Sequence, residues 1–230
     1  MESPDMGERT ALLFGASGLT GGHCLRYLLA DDHYTKVVAP GRRLLDIEHP
    51  KLEQPLVDFD RLDGFVEALK GDDVFCCLGT TIRKAGSREA FQTVDFVYPS
   101  RIAELSHRNG AVQFLMVSAM GADPKSPIFY SRVKGEVEQA IRNYGYPALT
   151  FFRPSLLLGK RQEKRVGEDI GQWLYRFFPF IFRGPLAKYK PVNARAVAFA
   201  MVKVAKEYMP GENIIESAMI SDLYRQSGER

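Results

Sequence analysis

Along most of the chain, short apolar runs alternate with longer stretches whose apolar residues recur every three or four positions. Residues 10–16 (TALLFGA) form the first run and predict a buried strand; residues 20–31, with Cys24, Leu25, Leu28 and Leu29 at helical spacing, predict the helix after it. The same reading places strands at 36–40, 52–58, 73–78, 111–118 and 148–153, and helices at 62–69, 88–108 and 129–144. Pro99 should kink or restart the long helical pattern around it, because it lacks the N–H that an interior turn needs. The strands are apolar throughout rather than alternating, as expected where helices cover both faces of a sheet. Such strand–helix–strand units predict a doubly wound α/β domain on a parallel sheet, the Rossmann architecture.

After residue 155 the pattern changes to a basic loop, an aromatic helix near 168–178, a helix over 193–207 and a short strand near 213–217. The expectation is one domain over 1–230, with a core of about 10–155 and a small C-terminal lobe of about 156–230. Six aromatic residues crowd the ten positions from Trp173 to Phe182. They fit a helix closing a substrate cleft, but also an oligomer interface or a membrane-surface face, given Arg176, Arg183, Lys188 and Lys190 nearby.

Composition narrows the classes. With 31 basic residues against 28 acidic ones, the net charge of +3 gives no argument for nucleic acid. Cys24, Cys76 and Cys77 offer neither a disulfide framework nor a zinc pattern, and Cys76 and Cys77 fall in a strand where core packing is expected. The four histidines are scattered singly. The first nine residues lack the apolar run of a secretory signal, and no run approaches the roughly 18 residues of a membrane span. The expectation is a cytoplasmic protein without a transmembrane segment.

The turn between the first strand and first helix carries the first candidate chemistry. Gly15, Gly18 and Gly21 stand at G-x-x-G-x-x-G spacing, with Ser17, Leu19 and Thr20 between them. A dinucleotide pyrophosphate needs a tight turn, close backbone approach and free N–H groups at a helix N-terminus. Gly15 can make the turn, Gly18 admits the phosphates and Gly21 lets helix and sheet pack closely; Ser17 and Thr20 add hydroxyls. A glycine-rich connection without a ligand is the bland alternative. An NAD-preferring domain carries an acidic residue roughly 20 positions after the glycines. Here that place holds Arg42 and Arg43, whose forked donors suit the 2′-phosphate of NADP(H), although a solvated basic turn would look the same. Asp58, ending the third predicted strand, is placed to meet the adenine amino group.

Tyr130 and Lys134 supply the second. They lie one helical turn apart on a shared face, and Ser118 closes the fifth predicted strand at the carboxyl edge, where α/β sheets bind ligands. Carbonyl reduction needs a hydride and a proton. An ordinary tyrosine is a poor base at neutral pH, and a nearby ammonium favours its phenolate. In this reading Ser118 holds the substrate oxygen, Tyr130 exchanges the proton, and Lys134 tunes Tyr130 and holds the ribose. Taken alone, Y-x-x-x-K occurs by chance in many helices, where it is a surface pair.

Taken together, these segments resemble the short-chain dehydrogenase/reductase superfamily, in its atypical branch, and most closely the Tat-interacting-protein-type oxidoreductases. Val57-Asp58-Phe59, Cys76-Cys77-Leu78-Gly79-Thr80-Thr81, Ser118–Asp123, Tyr130–Glu136, Arg153-Pro154-Ser155 and Arg161-Gln162-Glu163 extend the likeness across about residues 10–220. The resemblance implies that Leu78 and Gly79 lie along the adenine and ribose, Leu157 by the nicotinamide and Arg165 over the phosphates. Many members carry asparagine where this chain has Asp95. The expected function is an NADP(H)-dependent oxidoreductase acting on a small carbonyl or alcohol. The competing expectation is a dinucleotide-sensing protein that binds a protein partner and has vestigial catalysis.

Overall fold

The computed structural model describes residues 9–158 and 191–228. Seven parallel strands form one sheet: β1 (Arg9–Phe14), β2 (Tyr34–Val38), β3 (Leu52–Glu53), β4 (Asp73–Cys76), β5 (Gln113–Val117), β6 (Ala148–Arg153) and β9 (Gly211–Glu216), in the order β3-β2-β1-β4-β5-β6-β9. β7 (Leu157–Leu158) and β8 (Val192–Asn193) make a separate parallel pair. The helices are α1 (Leu19–Ala30), α2 (Ile82–Ala85), α3 (Arg88–Gln92), α4 (Tyr98–Arg108), α5 (Phe129–Arg142), α6 (Ala194–Glu207) and α7 (Ser217–Gln226). This is the doubly wound Rossmann sheet that the sequence pattern predicts.

The two-residue period of the strands builds two cores from one sheet. Ala11 and Leu13 of β1, Phe75 of β4, Leu115 of β5 and Phe152 of β6 face α1 and α6. Their neighbours Leu12, Phe14, Val74, Phe114, Met116 and Phe151 face α4 and α5 on the opposite side. Both faces are therefore covered, which is why the strands read as continuous apolar runs.

Several boundaries differ for physical reasons. The third strand shrinks to two residues because Pro55 has no N–H to give an edge ladder; pairing resumes only at a single bridge between Gly41 and Leu56. Residues Phe59–Leu69 form 3₁₀ turns interrupted at Arg61 and Phe65 rather than one α-helix. The long pattern over 88–108 becomes α3, a π-helical turn at Thr93–Val97 and then α4, with Pro99 in its first turn. Pro99 cannot donate to the carbonyl of Asp95, and the wide turn accommodates that missing bond. The described part of the late region joins the main sheet: β9 pairs with β6, and α6 packs on α1. The aromatic run 173–182 and the helix expected near 168–178 lie outside the described residues.

Asp73, buried at the amino edge of β4, accepts from Arg9 (Nε 3.1 Å, Nη2 2.5 Å), Tyr34 (2.8 Å) and Gln113 (2.9 Å). Four hydrogen bonds from three other strands tie that edge together, leaving the carboxyl edge for chemistry.

Candidate functional site

Every strand that contributes to the site ends at the carboxyl edge, where strand order reverses between β1 and β4. Leaving β1, the chain turns at Gly15, whose φ of +82° is left-handed and whose absent Cβ would sit 2.7 Å from the Cys77 carbonyl oxygen. The Gly18 N–H donates to the Gly15 carbonyl at 2.8 Å and opens α1, which has neither a side-chain cap nor an acidic residue in its first turn. A Cβ on Gly21 would lie 2.1 Å from the Gly15 oxygen, so helix and turn pack with only hydrogen between them. Ser17 and Gly18 are exposed on this turn, Leu19 is half-buried and Thr20 is buried.

Beside it opens a cleft of about 580 Å³, lined by Gly15, Ser17, Arg42, Arg43 and Leu78 among the expected residues. Phe59 and Lys84, to which the sequence reading gave no role, line it too, and among the described residues none of the lining is acidic. Lys84 belongs to α2, a single turn capped by the Thr81 side chain and ended by Gly86 at φ +90°. Asp58 stands at the margin: its carboxylate accepts from the Asp60 N–H at 3.0 Å and caps the 3₁₀ run, while its neighbour Phe59 faces the cleft. Leu157 lies half-buried in β7 against the α1–α6 core, and Arg165 lies outside the described residues.

The second part of the site is built on α5. Lys134 is 3% exposed, and its Nζ pairs with Asp95 Oδ1 at 2.7 Å. Burial pushes the Lys134 amine down, but the charge and hydrogen bond of Asp95 hold the ammonium above its usual range. Asp95 sits on the π-helical turn, and its other oxygen accepts from the Thr80 N–H at 2.8 Å. The loop after β4 is thereby fastened over the pair, with the Gly79 Cβ position 3.5 Å from Asp95 Oδ1 and 3.9 Å from Lys134 Nζ. Gly79 and Lys134 thus come together, one helical turn along α5 from Tyr130. Tyr130 is 37% exposed, and its ring leans on buried Phe91 of α3 with centroids 5.7 Å apart.

Ser118 is placed differently. It is 5% exposed, and its hydroxyl donates to Glu138 at 2.5 Å. A hydroxyl has one proton, so in this arrangement Ser118 cannot also donate to a substrate carbonyl. Glu138 is fully buried and accepts as well from Arg153 (Nε 3.0 Å, Nη2 2.5 Å) and Arg142 (3.3 Å). The sequence held a signal for it: Val133, Lys134, Val137, Glu138 and Ile141 share the buried face of α5, so two charges interrupt an apolar stripe. Asp95 had no comparable local signal. Burial pushes the Cys76 thiol up to about 12, which suits its expected packing role. Among the described residues no group of His, Cys, Asp and Glu could hold a metal, and no helix is long and apolar enough to cross a membrane.

In fold, the chain is similar to MoeE5, solved with UDP-glucose and NAD (TM-score 0.67, 17% identity, 96% of this chain and 83% of that one). It is similarly close to a dTDP-4-dehydrorhamnose reductase from Bacillus anthracis solved with NADP (TM-score 0.60, 13% identity, 97% and 82%). In sequence it is 42% identical to Protein HTATIP2 of Rattus norvegicus over 177 residues, 75% of this chain and 71% of that protein. It is 27% identical to the mitochondrial Protein FMP52 of Candida albicans over 213 residues, 88% of this chain and 90% of that one. The NAD(P)H-binding family matches residues 15–170, from the glycine turn past the whole of α5, and the chain belongs to that family.

Proposed function

We propose that this protein is an NADP(H)-dependent oxidoreductase that exchanges a hydride between the nicotinamide and a small carbonyl or alcohol, with Tyr130 exchanging the proton. The observation that carries the reading is the pairing on α5 of a solvent-reachable Tyr130 with a buried, charged Lys134, beside Gly79 at the carboxyl edge. The residues present fit the cofactor: Gly15 and Gly21 leave no room for a Cβ, so the turn offers its backbone closely. In this proposal Gly18, Leu19 and Thr20 present N–H groups to the pyrophosphate, and Ser17 adds its hydroxyl. Arg42 and Arg43, in a cleft with no lining carboxylate among the described residues, favour a 2′-phosphate over a bare ribose. Leu78 and Phe59 flank the adenosine, Lys134 holds the ribose, and Leu157 and Arg165 contribute as the family resemblance implies. When bound, the nicotinamide supplies or accepts the hydride at the substrate carbon. Tyr130 gives its phenolic proton to the developing alkoxide, or takes it in the reverse direction, and the Lys134 ammonium favours the phenolate left behind.

A cytoplasmic setting belongs to the same proposal. The fungal relatives are named as mitochondrial proteins, so fractionation of cells carrying the tagged full chain is its test.

The chemical test is Tyr130→Phe, assayed by NADPH oxidation across aldehydes, ketones and quinones. The ring still packs on Phe91, so fold and cofactor affinity persist, and kcat falls by about 10²–10⁴-fold, the scale of general acid–base catalysis. Unchanged turnover on a substrate the parent reduces would refute the assignment and favour an NADPH-sensing role with a protein partner.

A further inference from the structure

The buried carboxylate of Glu138 has no part in the chemistry above, yet it gathers four donor contacts. Ser118 leaves the end of β5, Arg153 the end of β6, and Arg142 comes from the last turn of α5. Arg142 continues outward to Glu212 of β9, with Nε 2.8 Å from Oε1. One carboxylate thus ties α5 to the ends of β5 and β6, and Arg142 extends the network to β9. Glu138 follows Lys134 by one helical turn and Tyr130 by two, so it sets the rotation and axial position of the helix that carries both. Nearer the site, α5 is held by the Lys134–Asp95 pair and by Gly135, where a Cβ would lie 2.2 Å from the backbone of Asp123 and Pro124. A buried carboxylate costs more to desolvate than an apolar residue of the same volume. Its presence at this point on α5 fits a task of placement rather than net stability.

We propose that Glu138 is a positioning residue for Tyr130 and Lys134, and that Ser118 acts through it, its hydroxyl proton held by Glu138 rather than offered to substrate. The inference rests on the Tyr130–Lys134 reading above. It differs in making Ser118 part of the mount and leaving Tyr130 the donor to the substrate oxygen.

The test uses the full chain saturated with NADPH and compares Ser118→Ala, Ser118→Thr, Glu138→Gln and the double variant Ser118→Ala/Glu138→Gln. Two readouts are taken: turnover, and amide hydrogen exchange over residues 129–134 against exchange in α1 and α6. Glu138→Gln should lower kcat by about 10–10²-fold, the cost of misplacing a reacting group, with KM for the carbonyl nearly unchanged. Exchange over 129–134 should rise while α1 and α6 keep their protection. Ser118→Ala, which leaves the Glu138–Arg153 pair intact, should reproduce both effects more weakly. Ser118→Thr should restore both, and the double variant should be no worse than Glu138→Gln alone, because the two residues act as one unit.

The opposite pattern overturns the proposal: Ser118→Ala losing about 10²–10³-fold in kcat, as a donor to the substrate oxygen would, with exchange unchanged and full additivity with Glu138→Gln. Should the parent turn over no carbonyl, the oxidoreductase reading fails, yet exchange still decides the clamp. Uniform loss of protection in Glu138→Gln, with none at 129–134 in Ser118→Ala, would reduce Glu138 to general stability and overturn it.

Discussion

Replacing Asp95 by asparagine tests the electrostatics under the candidate active site. The change keeps the volume of the side chain and an oxygen for the Thr80 N–H, but removes the charge 2.7 Å from Lys134 Nζ. The two side chains are 1% and 4% exposed, so water cannot replace the lost partner. Breaking a buried pair on one side costs about 3–5 kcal/mol, which in a domain of this size lowers Tm by roughly 6–20 °C. The pH dependence gives a sharper signature. Lys134 is held above its ordinary value despite burial, so its contribution to stability is fully present at neutral pH and fades only as pH rises past the unfolded lysine value. In the asparagine variant burial remains and its main counterweight is gone, so the folded-state value falls below the unfolded one and the sign reverses. Lys134 then opposes folding while charged, and the penalty is relieved as pH rises. Thermal melts from pH 7 to 9 should show the variant regaining stability with pH relative to the parent. A Tm at pH 7 within about 2 °C of the parent's, with the same pH slope, would refute the reasoning.

Arg42→Ala should weaken NADPH by about tenfold or more and leave NADH nearly unaffected, since a forked arginine–phosphate contact is charge-assisted; calorimetry giving equal affinities of the parent for the two cofactors would sink the NADP(H) assignment. Gly21→Ala drives a Cβ toward the Gly15 carbonyl, which cannot swing aside as a side chain would. It should cost about 1–3 kcal/mol of stability and most of the cofactor affinity, and wild-type titration and melting curves would contradict the close packing drawn at that turn.

The readable parts of this protein are those written within a helical turn or a strand. The glycine turn, the alternation of strands and helices, the basic pair after β2 and the Tyr130–Lys134 spacing all depend on residues a few positions apart, and each is present where the pattern put it. Elements whose form depends on neighbours differ from the pattern at their edges. β3 lost its ladder to Pro55, and the pattern over 88–108 concealed a π-helical turn that lifts Asp95 toward Lys134. α2, β7, β8 and α7 are too short or too weakly patterned to stand out, and tertiary packing decides them.

By itself, then, the sequence determined the fold class, the place of the glycine turn and the spacing of the Tyr130–Lys134 pair, because periodicity and glycine chemistry act locally. Tertiary structure alone decided the partners of the buried charges. Ser118 and Glu138 are 20 residues apart and meet only because β5 and α5 pack together. Asp95 reaches Lys134 only across the α5 contact with the π-helical turn. A buried charge takes its partner from whatever the sheet brings within about 3 Å, and no local spacing rule encodes that distance.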